Sequence, residues 1–230
     1  MSSSPLENLW SNIRKDAWGW TVFVLTLAAY VPMIWGSATN PDENNIISWI
    51  LWSILAALFL YSSLDQGFSG WRLPLAFLVG NIAMVATAAI YGGYYKLGSE
   101  ELIVLIGVVG SVAIWKINQV WTGKEESRIL FYGCMAADMV CFYPMAKYWV
   151  VEATQRASLG TLVGWELCLV GILINMFKVE KLVDKLRMPA RLYETTYPKE
   201  GKKGIFRIIE GSLFSLEQIF YVGGMLYLMR

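Results

Sequence analysis

The chain has 230 residues, of which 56% are hydrophobic, 14% aromatic and 16% charged, with a formal net charge of +1. A soluble domain carries about 25% charged and 45–50% apolar residues, so this apolar excess calls for lipid. The near-neutral balance excludes the concentrated basic face of a nucleic-acid binder. Histidine is absent, which excludes His-ligated haem or chlorophyll, facial-triad iron and histidine general-base catalysis.

Residues 1–17 are polar and include Arg14 and Lys15; they lack the apolar core of a signal peptide. The apolar run from Trp18 to Trp35 has no small-residue cleavage site after it and is expected to stay as a span. A span needs about 20 mainly apolar residues to cross a hydrocarbon core near 30 Å thick. Six segments meet that length: 18–36, 46–63, 71–91, 101–121, 129–150 and 157–177. A polar stretch follows over 178–206, its first part a solvated helix in which Glu180 and Asp184 neighbour Lys181, Lys185 and Arg187. Met188-Pro189 ends that helix. The last candidate, 207–229, is long enough to span, but Glu210, Glu217 and Gln218 leave a surface-lying amphipathic helix as the alternative. The expected fold is all-α and polytopic, with about seven transmembrane helices.

Lysine and arginine set the orientation. With seven spans, one side holds Arg14, Lys15, Arg72, Lys124, Arg128 and the nine basic residues from Lys178 to Arg207. The other holds Lys96, Arg156 and Arg230. The sequence therefore predicts insertion in the plasma (inner) membrane with a cytoplasmic N-terminus.

Two stretches follow one plan. In each, an apolar helix carries an aromatic residue and Pro-Met near its end, a polar loop follows, and a tryptophan-bearing apolar helix begins. The first runs from Tyr30 through Pro32 to Trp52, the second from Phe142 through Pro144 to Trp165. Repeated membrane helices broken at matching places point to a binding site between two halves. The spans group as 3+1+3: a first repeat over 18–91, a linker helix over 101–121, and a second repeat over 129–229 that includes the cytoplasmic loop. With one linking span, the two repeats run parallel.

Pro32 and Pro144, the helix starts at Ser48-Trp49 and Trp165, and the 3+1+3 plan resemble the SWEET, PQ-loop and nicotinamide riboside transporter group. The resemblance implies two three-helix bundles joined by a linker helix, with a proline in the first helix of each. It covers most of the chain as architecture and little as sequence. The Pro-Gln dipeptide of the PQ-loop proteins is missing, and the predicted cytoplasmic N-terminus is opposite to that of SWEET carriers. No substrate is carried over.

Polar residues deep in spans are costly and therefore functional candidates. Asp138 lies mid-span, and Pro144 frees the carbonyl of Val140 between them; a buried carboxyl beside such a hinge suits proton coupling. Asn81 sits midway along the third span and Gln218 at a similar depth in the seventh, so the two are expected to face one another. Glu166 and Glu217 are further candidates, set against surface snorkelling for the first and the wet face of an interfacial helix for the second. Lys116 is expected to snorkel. Trp18, Trp20, Trp71, Trp121 and Trp149 read as an interfacial belt. Trp49, Trp52 and Trp165 lie inside the repeated helices and suit either core packing or stacking on a planar or sugar-like solute. Cys134, Cys141 and Cys168 read as small buried hydrophobes.

No lysine falls in 207–229, which excludes a retinal Schiff base there. No phosphate-binding loop, nucleophile elbow or zinc motif is present, so no enzyme and no cofactor is indicated. The expectation is a carrier or facilitator for a small polar solute, working by alternating access between two repeats with Pro32 and Pro144 as hinges. Asp138, Asn81, Trp52 and Trp165 lead the lining residues, joined by Glu166, Glu217 and Gln218. Besides the bilayer and its solute, the reading leaves room for a homo-oligomer. The rival is a non-transporting receptor or accessory subunit of a membrane complex, which would bury the same polar groups without a cavity. A membrane enzyme would need Asp138, Glu166 and Glu217 clustered around one opening.

Overall fold

The computed structural model describes residues 17–41, 45–65, 71–93, 97–123, 127–147, 149–150, 157–186 and 201–229. Side chains are described within these except at 17–18, 65, 100, 127–128, 141–146, 176–186 and 201–214. The surroundings of Pro144, Cys141, Glu210 and Trp18 therefore lie outside the described residues, as do the loop after Leu186 and its Met188-Pro189 stop.

Seven α-helices and no strands make up the described residues: α1 (Ala17–Thr39), α2 (Ile46–Asp65), α3 (Arg72–Tyr91), α4 (Ser99–Thr122), α5 (Ser127–Lys147), α6 (Leu159–Leu186) and α7 (Gly201–Met229). Apolar runs of this length form helices because a backbone in lipid must satisfy its hydrogen bonds within its own segment. Hydroxyls in these runs bond back one turn, as Ser53 does to the Trp49 carbonyl and Ser111 to that of Gly107. Two helices stop at a glycine in the left-handed region. Gly92 (φ 93°) caps α3 and Gly123 (φ 63°) caps α4, each donating its N–H to the carbonyl four residues earlier.

Among the described residues, four helices are long and apolar enough to cross a membrane: Gly19–Thr39, Ile46–Leu64, Arg72–Tyr91 and Glu101–Thr122. At 1.5 Å per residue, such segments reach about 30 Å. Shorter apolar stretches occupy Ile129–Val140 of α5 and Leu159–Asn175 of α6. The outer faces carry exposed Val31, Trp35, Ile82, Ile90, Ile106, Val109, Val120 and Phe220. An apolar exterior of this extent is what lipid, not water, would cover.

Helix packing closes a ring. Each neighbouring pair in the order α1–α3–α2–α5–α7–α6 is in contact, and α6 returns to α1. Outside the ring, α4 lies mainly on α5 and more lightly on α2. Buried Glu101 fixes its start: the carboxylate accepts from the Asn45 amide at 2.9 Å and from the Gly98 N–H at 2.9 Å.

The α1–α6 seam is the closest in the ring. A Cβ on Gly160 would stand 2.5 Å from the Pro32 carbonyl oxygen and 2.9 Å from the Gly36 nitrogen. A Cβ on Gly164 would meet Met33 at 2.0 Å and the Ala29 oxygen at 2.7 Å, and one on Gly171 would meet the Thr26 hydroxyl at 2.6 Å. Small residues spaced by four let backbones touch, the G-x-x-x-G packing of membrane helices.

The surface-helix alternative for 207–229 does not describe the C-terminal half of α7. Tyr221, Val222, Met225, Leu226 and Met229 are buried, and Asn175 of α6 donates to the Ser215 hydroxyl at 3.1 Å.

Candidate functional site

Apolar helices arranged in a ring must fill its middle with side chains or leave a space. Here a cavity remains, and every ring helix contributes to it. Tyr30 and Met33 come from α1, Trp49, Trp52 and Phe59 from α2, and Phe77 and Asn81 from α3. Asp138 comes from α5, Trp165 and Cys168 from α6, and Gln218 and Tyr221 from α7. About 50 Å³ is open to the centres of water-sized molecules. At about 10–15 Å³ per water, that is room for a few.

Two polar clasps hold the wall. On one side the Tyr30 hydroxyl donates to Asn81 Oδ1 at 2.7 Å, joining α1 to α3. Gly80 makes this reach feasible, because its missing side chain leaves the space that the Tyr30 ring fills. On the other side Gln218 Nε2 donates to Asp138 Oδ2 at 2.7 Å, and the Tyr221 hydroxyl donates to the Asp138 carbonyl, joining α7 to α5. Asn81 and Asp138 are both buried, so these bonds meet a need that water does not.

Between the clasps stands a group of rings. Trp52 meets Trp49 at 5.2 Å, Trp165 at 5.9 Å and Tyr221 at 6.0 Å between centroids, with interplanar angles of 88°, 74° and 71°. These edge-to-face contacts are the favoured geometry for aromatic pairs.

The expected lining set is thus largely brought together: Asp138, Asn81, Trp52, Trp165 and Gln218 share one cavity. Three expectations fare differently. Glu166 is exposed on α6 and does not line the cavity; Trp165 and Cys168 occupy the inner face of that helix, and Glu166 stands outside it. Glu217 is buried on α7 beside Gln218, yet it is not in the lining, and neither carboxyl oxygen has a hydrogen-bond partner among the described residues. Asp138, Glu166 and Glu217 therefore do not surround a common opening. Pro32 lies within the continuous α1, its carbonyl against Gly160.

Other readings find their places. Lys116 is exposed, its ammonium 4.3 Å from the Trp115 ring and donating to Gln119 at 3.0 Å. Trp20 and Trp71 flank the Arg72 guanidinium at 4.8 and 4.6 Å where α1 and α3 begin. Cys134 and Cys168 are buried free thiols. Sequence reasoning missed Tyr30, Phe77 and Tyr221 as lining residues and the glycine seam. For the rings no signal separates a cavity wall from a core, whereas Gly160 and Gly164 carried a readable small-residue spacing. No group of three or more metal-ligating side chains occurs among the described residues.

Compared with family models, curated proteins and solved structures, the chain matches none significantly.

Proposed function

We propose that this protein is a membrane carrier or facilitator for a small polar solute, inserted in the plasma (inner) membrane with its N-terminus in the cytoplasm. One observation carries the reading: a single cavity is lined from all six ring helices, with Asn81, Asp138 and Gln218 on its wall. Solid packing of those groups would have favoured an accessory subunit instead.

The ring order supports the 3+1+3 plan. α3 lies between α1 and α2, and α7 lies between α5 and α6. The remaining ring contacts, α1 with α6 and α5 with α2, exchange when the two groups of three are exchanged. Two parallel repeats facing each other across an axis along the membrane normal would produce this order, with α4 as the outlying linker. That is the architecture of the SWEET, PQ-loop and nicotinamide riboside transporter group, and it supplies a plan for alternating access without supplying a substrate.

Cys168 provides the test because its side chain lines the cavity. In protein carrying Cys134→Ala and Cys141→Ala, reconstituted into vesicles, a membrane-impermeant thiol reagent should reach Cys168 from either side, and cavity occupancy should slow labelling. Labelling from neither side would sink the carrier reading in favour of a subunit.

A further inference from the structure

We propose that the solute taken into this cavity is a small organic cation, an amine or quaternary ammonium, held between Asp138 and the surrounding rings. This rests on the carrier reading above and narrows its solute class.

The charge comes first. Among the described residues, Asp138 is the one carboxyl in the lining, and no lysine or arginine joins it there. Gln218 engages one of its two oxygens with a neutral amide, and none of the described lining residues supplies a counter-charge. An ionised Asp138 is costly to bury without a partner; a bound cation would complete the pair and favour that form, while an anion would add repulsion.

The walls fit the same guest. Trp49, Trp52, Trp165 and Tyr221 all line the cavity, with Trp52 in contact with the other three at steep angles. Aromatic rings attract ammonium groups through their quadrupoles, most strongly when water is excluded. An uncharged polyol finds less, because both tyrosine hydroxyls of the clasps already donate, Tyr30 to Asn81 and Tyr221 to the Asp138 carbonyl. Room for the centres of a few water-sized molecules, about 50 Å³, suits a guest of a few heavy atoms.

Three solutes of nearly one shape separate charge from size: tetramethylammonium, tert-butanol and pivalate. Titrated into the purified full-length protein in micelles at constant ionic strength, tetramethylammonium should bind at least about tenfold more tightly than either of the others. Asp138→Asn, which keeps an acceptor for Gln218, should shrink that preference to within about threefold. Trp52→Leu should weaken tetramethylammonium while leaving the ranking against pivalate. Should Asp138→Asn fail to fold, the wild-type ranking of the three solutes still decides. Equal or tighter binding of tert-butanol or pivalate overturns the inference, as does an undiminished preference in Asp138→Asn or no tetramethylammonium binding at all. Each of these leaves the carrier reading to the Cys168 labelling, which fails independently.

Discussion

Trp52 of α2 and Trp165 of α6 meet across the cavity with ring centroids 5.9 Å apart and planes at 74°. Each is the seventh residue of its helix, so the contact joins α2 and α6 at matching positions along them. An edge-to-face aromatic pair contributes about 0.5–1.5 kcal/mol beyond its buried area. A double-mutant cycle with Trp52→Leu and Trp165→Leu, read by thermal unfolding in micelles, should return a coupling of that size. Additive losses would mean that the rings are merely adjacent.

Gly80 is fixed by the tyrosine beside it. A Cβ there would fall 2.2 Å from a Tyr30 ring carbon. Gly80→Ala should therefore cost about 1–3 kcal/mol through overpacking, despite the better helix propensity of alanine. The same change in a Tyr30→Leu background should cost clearly less. An equal cost in both backgrounds would remove Tyr30 as the cause.

Two glycines offer a controlled comparison. Gly160→Ala would drive a methyl into the Pro32 carbonyl, whereas a Cβ at Gly110 meets nothing within 4 Å. The first should lower stability by roughly 1–3 kcal/mol, because backbone yields less readily than a side chain. The second should be neutral or gain up to about 1 kcal/mol from helix propensity. Matching melting temperatures for the two variants would argue against the seam.

Glu217 holds a buried carboxyl whose two oxygens lack hydrogen-bond partners among the described residues. Such a group costs about 1–3 kcal/mol or more. Glu217→Met, similar in length and apolar, should raise the melting temperature. If the carboxyl takes part in coupling, the stabilised variant will also lose uptake in vesicles. A lower melting temperature would mean that Glu217 has a partner that stabilises it.

The fold was readable where lipid imposes a length. α1 to α4 followed from apolar runs of about 20 residues, and their ends fell within a few positions of the observed ones. α7 was ambiguous because Glu217 and Gln218 interrupt its apolar run. The structure resolves them by direction: Gln218 reaches Asp138 and Glu217 is buried, so both point away from lipid. Hydropathy averages over a helix and loses that direction. Asp138 and Asn81 were legible because a polar group in an apolar span needs a reason to be there. Tyr30 and Tyr221 were not, since a tyrosine among valines and leucines reads as core until its hydroxyl is seen to bond. Glu166 misled for a related reason: sequence gives depth along a helix far better than the face on which a residue stands.

The α1–α6 and α2–α5 contacts are unequal. Along α1 and α6 the backbones themselves touch at Gly160 and Gly164, while α2 and α5 meet through longer side chains, among them the Phe59–Phe131 ring pair at 5.6 Å. Backbone against backbone leaves no rotamers to exchange, so the first contact behaves like the spine of a book and the second like the edge of its pages. Bulk added at Gly160 or Gly164 would force that spine apart, whereas bulk added between α2 and α5 can be taken up by other rotamers at the page edge.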